Sequence, residues 1–245
     1  MARWAVVVFA RPIRPESVKT RLAPVLGPET TAALYSCFLS DTVSEMFRLQ
    51  EYRPPIEVLL AWESPPAESE NPLPEASAVS GFLQVQGNLG ARIQAAFAEV
   101  FQRGFARAAI IGSDMPLLEA QRVYEGLSAL EECDLALGPC LDGGYYLIAA
   151  GALYPALFEG IEWGTEKVLQ QTLHAAQQEG LRFHLLAPGY DVDSLEDLRR
   201  LEEDLSSAGG KQIPCPRTFE FLCRRKPLRS GAKDIENCRN NSGIE

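Results

Sequence analysis

The sequence predicts a three-layer α/β sandwich, with a mostly parallel sheet, helices on both faces and one antiparallel strand. Three observations carry this. Apolar runs of strand length, such as Val6–Ala10 and Ala108–Gly112, are continuous rather than alternating, as in strands buried on both faces. Between them lie segments with helical apolar spacing, such as Ile93, Phe97, Val100 and Phe101. A chain of 245 residues, 46% hydrophobic and 23% charged, also suits one soluble globular domain of this class.

Taken in order, Trp4–Ala10 reads as the first strand, too short to span a bilayer and followed by no small-residue cleavage site. A loop with two prolines and four cations runs from Arg11 to Arg21. Gly27-Pro28-Glu29 then opens a helix to about Arg48, since proline and an acid suit the free N–H groups of a first turn. Ile56–Trp62 is a strand. The segment Glu63–Ser80, rich in Pro, Glu, Ser and Ala, reads as a mobile excursion or lid. Phe82–Gln86 is a short strand, and Gly87-Asn-Leu-Gly90 turns into a helix. Strand Ala108–Gly112 precedes helix Leu117–Glu131. Strand Asp134–Pro139, the tight turn Leu141-Asp-Gly-Gly144 and strand Tyr145–Ala150 form an antiparallel pair. Thr165–Glu179 is a helix, Leu181–Leu186 a strand and Ser194–Leu205 an amphipathic helix. Residues 1–205 thus form the domain. Residues 206–245 read as a basic tail, largely disordered, with Arg217–Arg224 as one docked helical turn.

Charge and cysteine usage exclude several function classes. The net charge is −10, although the tail from Lys211 carries eight Lys/Arg against four Asp/Glu. An acidic body with a short basic end argues against nucleic acid as a partner. Cysteines at 37, 133, 140, 215, 223 and 238 form no C-x-x-C pair and have no histidine beside them, so neither a zinc site nor a secreted disulfide framework is expected. Reduced thiols in a cytoplasmic protein are the simplest reading.

Four constellations could carry chemistry. In Ile111-Gly-Ser-Asp-Met-Pro116, Asp114 falls just past the carboxyl end of a buried strand, where open α/β sheets bind ligands. A carboxylate there either caps a helix start or holds a divalent metal that in turn holds a diphosphate. In Gly138-Pro-Cys-Leu-Asp-Gly-Gly-Tyr-Tyr146, the Asp142-Gly143-Gly144 step is either a hairpin turn or a place where backbone N–H groups approach a sugar or phosphate. In Asp191-Val-Asp-Ser-Leu-Glu-Asp-Leu198, Asp193 and Glu196 have capping-box spacing, yet the segment follows a strand that opens onto the same crevice. In the first loop, Lys19 and Arg21 suit a polyphosphate. Neither a P-loop nor a G-x-G-x-x-G fingerprint occurs. His174 and His184 sit in a helix and a strand as structural residues, and Ser113 lacks a nucleophile elbow.

Six motifs in order resemble the GT-A-type superfamily of nucleotide-diphospho-sugar transferases, whose fold is Rossmann-like. They are Val18-Lys-Thr-Arg-Leu-Ala-Pro24, Gly87-Asn-Leu-Gly-Ala-Arg92, Ile111-Gly-Ser-Asp-Met-Pro116, Leu137–Ile148, Trp163-Gly-Thr165 and Asp191–Leu198. Within it the chain is most similar to a bacterial glycosyltransferase-like group of the arsenosugar-biosynthesis type. Phospholactate guanylyltransferases and molybdenum-cofactor nucleotidyltransferases are more distant. The resemblance implies a bound nucleotide and Mg²⁺ or Mn²⁺, with Asp114 and Asp193 as metal-side acids and Asp191 as a nearby contender. It implies that Lys19 and Arg21 are phosphate-side cations, joined by Arg11 and Ser113, and that Gly143, Gly144 and Tyr145 face the sugar or acceptor.

Three departures stand out: Pro15-Glu16 replaces Pro-Gly in the first loop, Asn88 replaces an Asp, and Ser194-Leu195 replaces Thr-Pro. The expected function is metal-dependent transfer of a sugar from a nucleoside-diphosphate sugar to a small acceptor, with Asp142 as the base if the reaction inverts. Alternatives are nucleotidyl transfer to a phosphorylated acceptor with pyrophosphate release, for which Arg11 and Arg14 could supply further cations, and nucleotide binding without catalysis. The expected partners are a nucleotide sugar and a small acceptor, and a homodimer is compatible with the sequence.

Overall fold

A computed structural model describes residues 2–73, 79–207 and 213–225. Seven strands form one sheet: β1 (Trp4–Ala10), β2 (Ile56–Trp62), β3 (Gly81–Leu83), β4 (Arg107–Ile111), β5 (Leu135–Pro139), β6 (Tyr145–Ala150) and β7 (Phe183–Leu185). Their spatial order is β3-β2-β1-β4-β6-β5-β7. Every pairing is parallel except those of β6, which runs antiparallel to β4 and β5.

Among the described residues seven α-helices accompany the sheet: α1 (Ala23–Leu26), α2 (Pro28–Phe47), α3 (Leu89–Gln102), α4 (Ala120–Ala129), α5 (Val168–Gln178), α6 (Leu195–Ser207) and α7 (Pro216–Arg224). The pleat divides the core. Trp4, Val6 and Val8 of β1 face one side, packing with Leu39, Val43 and Met46 of α2 and Val123 and Leu127 of α4. Ala5 and Val7 face the other, with Ile93, Phe97 and Val100 of α3 and Ala176 of α5. This is the expected three-layer architecture.

Several boundaries differ from the sequence reading, each for a local reason. Strand β3 ends at Leu83, where the Gln84 side chain turns inward to donate to the Ala61 carbonyl at 2.6 Å and its N–H still donates to the Trp62 carbonyl at 2.9 Å. Helix α4 begins at Ala120, whose N–H is taken by the Glu45 carboxylate of α2 at 3.0 Å. The expected excursion after β2 is tied down through residue 73. Arg14 pairs bidentately with Glu70 at 2.9 and 3.0 Å, and Leu73 is buried in the core. Residues 74–78 lie outside the described residues.

The domain also extends past residue 205. Helix α7 exceeds the single turn expected, and Cys215 and Leu222 pack with Leu34 and Phe38 of α2 and with Leu198, Leu201 and Leu205 of α6. The fully buried Asp41 of α2 accepts the N–H groups of Arg217 and Thr218 at 3.1 and 2.7 Å, capping α7 from outside. The expected disorder of the rest falls on residues 208–212 and 226–245, outside the described residues. Among the described residues, no helix is long and apolar enough to cross a membrane.

Strand β1 is the centre of the topology. From it the chain steps outward to β2 and β3, then returns to its other side at β4. The crevice past the carboxyl ends of β1 and β4 is therefore the switch point where such sheets bind ligands.

Candidate functional site

A cleft of about 240 Å³ opens at this switch point. Its walls include Phe9, Ala10 and Arg11 from the end of β1, Ile111 through Met115 from the end of β4, Tyr35 of α2, Arg92 of α3, Tyr145 of β6 and Asp191. Its floor is built from three segments joined by one directional hydrogen-bond chain. The Arg11 N–H donates to the Tyr35 hydroxyl at 3.0 Å, Tyr35 pairs with Ser113 Oγ at 2.9 Å, and Ser113 donates to the Phe9 carbonyl at 3.1 Å. Burial first, then the nearby Asp114, pushes the Tyr35 phenol up to about 12, so it stays protonated. The Ser113 hydroxyl is thus already hydrogen-bonded within the protein, although Ser113 lines the cleft as a phosphate-side residue would.

Beside the cleft, three distant segments converge on one ammonium. Lys19 Nζ lies 2.6 Å from Asp114 Oδ1 and 2.7 Å from Asp193 Oδ1. The Lys19 side chain is 3% exposed, whereas those of Asp114 and Asp193 are 41% and 51% exposed. Burial opposes the charge on Lys19, but the two carboxylates outweigh it and raise its pKa. Burial likewise opposes ionisation of Asp193, but Lys19 outweighs it, and Arg21 and Arg11 add to the lowering. Asp191 is pushed up to about 7, first by burial and then by the charge of Asp114.

Local structure bears on the capping alternatives left open by the sequence. Asp114 caps no helix: its carboxylate is on Lys19, and its carbonyl accepts the Val192 N–H at 2.8 Å, stitching the β4 loop to the Asp191 segment. The capping box at α6 is offset by one residue from the predicted pair. Asp197 accepts the Ser194 N–H at 2.8 Å, and Ser194 Oγ accepts the Asp197 N–H at 3.2 Å. Asp193 is thereby free to face Lys19. With Leu195 in place of proline, Ser194 still supplies the cap.

The turn at residues 141–144 is more structural than expected. Asp142 is exposed, lies outside the residues lining the cleft, and accepts the Gly144 N–H at 2.9 Å. The Gly143 N–H donates to Cys140, and Gly143 has φ +87° with the Glu166 carbonyl where a Cβ would sit. Both glycine N–H groups are spent inside the turn, so neither is presented to a sugar or phosphate, contrary to expectation. Tyr145 does line the cleft.

Arg11 reaches the cleft mouth with Nε 3.5 Å from Glu63, while Arg21 is exposed outside it. Neither histidine lines the cleft, and both are exposed. Asn88 accepts the Ala91 N–H at 2.9 Å, so it caps α3 as an Asp would.

Sequence reasoning assigned no role to Tyr35, Gln84 or Arg92, though all three line the cleft. Arg92 lay inside a quoted motif, and its Nε donates to Gln84 Oε1 at 2.6 Å. Tyr35 carried no signal, since an aromatic residue in a long helix reads as core.

Among the described residues, no group of three or more His, Cys, Asp or Glu is arranged to hold a metal. Two carboxylate oxygens do converge on one cation, and magnesium commonly takes one or two protein carboxylates plus substrate phosphates. The donor set of Asp114 and Asp193 fits a hard divalent ion of that kind.

Comparison with known proteins agrees with this architecture. Residues 47–165 match the family described as "Uncharacterized protein conserved in bacteria (DUF2064)". The chain is similar to a "putative nucleotide-diphospho-sugar transferase" from Desulfovibrio desulfuricans G20, at 28% identity and a TM-score of 0.80, covering 91% of this chain and 95% of that one. It shares its fold with a CMP:2-keto-3-deoxy-manno-octonic acid synthetase complexed with CTP, at 14% identity and a TM-score of 0.51 over 83% and 99% of the two chains. The same holds for the 4-diphosphocytidyl-2C-methyl-D-erythritol synthase of Anaerococcus prevotii DSM 20548, at 11% identity and a TM-score of 0.51 over 83% and 98%. No curated protein matches the sequence. The chain is a transferase-class enzyme of the nucleotide-diphospho-sugar transferase-like α/β fold, with residues 47–165 matching the DUF2064 family.

Proposed function

We propose that this protein transfers a sugar from a nucleoside-diphosphate sugar to a small acceptor, with a divalent cation on the acids Asp114 and Asp193. The observation that carries the reading is the convergence of Lys19, Asp114 and Asp193 beside a cleft at the sheet's switch point. The similarity to the Desulfovibrio protein supports it.

The chemistry follows from charge. A leaving nucleoside diphosphate gains negative charge as the bond to the sugar breaks. Positive groups fixed where that charge develops stabilise the transition state more than the ground state. A divalent ion, when bound, supplies such neutralisation. Arg11 at the cleft mouth contributes a guanidinium suited to a phosphate oxygen. The apolar walls at Phe9, Ile93, Ile110 and Ile148 exclude water, which strengthens these interactions and protects the donor from hydrolysis. If the reaction inverts, Asp142 keeps one carboxylate oxygen free of the turn to take the acceptor's proton, and because it lies outside the cleft lining it serves only an acceptor that extends past that lining.

The second reading is nucleotidyl transfer, favoured by the shared fold of the two cytidylyl-type synthetases. It needs cations for a triphosphate and a phosphorylated acceptor. Arg14, one candidate, is bidentate on Glu70, which leaves Arg11 as the one of the two that lines the cleft. That commitment ranks sugar transfer first.

A panel of sugar nucleotides and nucleoside triphosphates with Mn²⁺ separates the readings. Release of nucleoside diphosphate from a sugar nucleotide supports the proposal, and pyrophosphate release from a triphosphate replaces it with the second. Binding with neither product leaves a non-catalytic nucleotide binder.

A further inference from the structure

The cation that joins Asp114 to Asp193 in this structure is covalently part of the chain. Lys19 is unusual in three respects. Its side chain is almost completely withdrawn from solvent, with Nζ 5.8 Å from the Phe38 ring centroid. Its backbone has φ +48°, a left-handed conformation that a non-glycine residue adopts rarely. Its carbonyl is fixed by the N–H groups of Leu22 at 2.8 Å and Ala23 at 3.3 Å, at the start of α1. Such a backbone persists only where its surroundings over-determine it. A lysine serving only to meet a phosphate would keep its ammonium toward solvent. This one is aimed inward at two carboxylates.

We infer that Lys19 is a resident counter-cation, which occupies the Asp114–Asp193 pair in the free protein and excludes a divalent ion until a diphosphate draws the ammonium away. This rests on the reading of Asp114 and Asp193 as the metal-side acids. An ammonium within 2.7 Å of both oxygens leaves no room for a second cation between them, and two positive charges so close repel. The lysine stem is flexible and its ammonium is a rotatable point charge, so it can move from carboxylate to phosphate oxygen without rebuilding the loop. Metal and diphosphate then bind as a pair, each tightening the other by the same factor. In the free protein one ammonium bridges the two acids and stands where a metal would bind.

The test uses the full-length protein without nucleotide. Mn²⁺ alone is titrated and the free ion followed by electron paramagnetic resonance. The expected result is at least about tenfold tighter Mn²⁺ binding in Lys19→Met than in wild type, with the gain lost in Lys19→Met/Asp114→Asn. Equal affinity in wild type and Lys19→Met overturns the inference, as does a gain that survives the second substitution. Should Lys19→Met not fold, calorimetry on the wild-type protein compares Mn²⁺ alone with the preformed complex of Mn²⁺ and inorganic diphosphate. At least about tenfold tighter binding of the complex is expected, and equal binding overturns the inference. No sugar nucleotide enters these measurements. A protein that passes them yet releases no nucleoside diphosphate loses the transfer reading and keeps this one.

Discussion

Asp114→Asn removes one charge from the centre of the site and little else. The amide oxygen can still accept from Lys19, and the loop keeps its backbone bond to Val192. Two unit charges about 4 Å apart interact by about 4 kcal/mol at an effective dielectric of about 20. The Asp114 side chain is 41% exposed and Asp193 remains, so screening and the surviving partner reduce the net loss to about 1 kcal/mol. Asp114→Ala also removes the acceptor from an ammonium whose side chain is 3% exposed, for a loss of about 2 kcal/mol. In a domain of this size each kcal/mol lowers Tm by about 2–4 °C, giving about 2–4 °C for Asn and about 4–8 °C for Ala. Binding should suffer more than stability. Both variants should lose at least about tenfold, or about 1.4 kcal/mol, of Mn²⁺-dependent nucleotide affinity by titration calorimetry. An Asn variant that binds nucleotide with Mn²⁺ as tightly as wild type would refute the reasoning, whatever its melting point.

Other substitutions test the surrounding assignments. Asp142→Asn keeps the acceptor for the Gly144 N–H but cannot take a proton, so turnover should fall at least about tenfold with Tm unchanged; unchanged turnover removes Asp142 from the chemistry. Asp191 is held at about 7, above its unfolded value of about 3.9, so its native state loses stability as pH rises between these values. In metal-free protein, Asp191→Asn should therefore melt higher than wild type at pH 8, with the difference closing by about pH 4. A gain that does not depend on pH contradicts the assignment. Gly143→Ala places a methyl on the Glu166 carbonyl at a left-handed φ and should cost about 3 kcal/mol by denaturant unfolding. Ser194→Ala should cost about 1 kcal/mol of stability without changing nucleotide affinity; a loss of affinity would mean that the cap positions Asp193.

The sheet was legible because burial on both faces leaves continuous apolar runs. Ile56–Trp62 matches its strand residue for residue, and Tyr145–Ala150 has the predicted antiparallel sense. Helix starts were harder. Ala120 and Arg217 receive their caps from Glu45 and Asp41, remote acids that no local pattern announces. Within the site, position past a strand end drew attention to Asp114 and Asp193 but left cap and ligand both open, and it took the resemblance of whole motifs to add Lys19. The sequence could not show that Lys19 would be buried against the acids rather than turned toward a phosphate, because that depends on three segments meeting. Gly143 and Gly144 misled for a related reason. A glycine pair marks close backbone approach, but the partner here is the protein's own Glu166 segment.

The hydroxyl chain beneath the cleft has a consequence for what can lie on it. Its protons all run one way, from the Arg11 amide through Tyr35 and Ser113 to the Phe9 carbonyl, and the chain ends there. Neither hydroxyl has a hydrogen left to give, yet each oxygen keeps a lone pair. Tyr35 and Ser113 are each only 2% exposed, so the chain ties α2 to the ends of β1 and β4, and its remaining lone pairs are open only to a hydrogen-bond donor that reaches them.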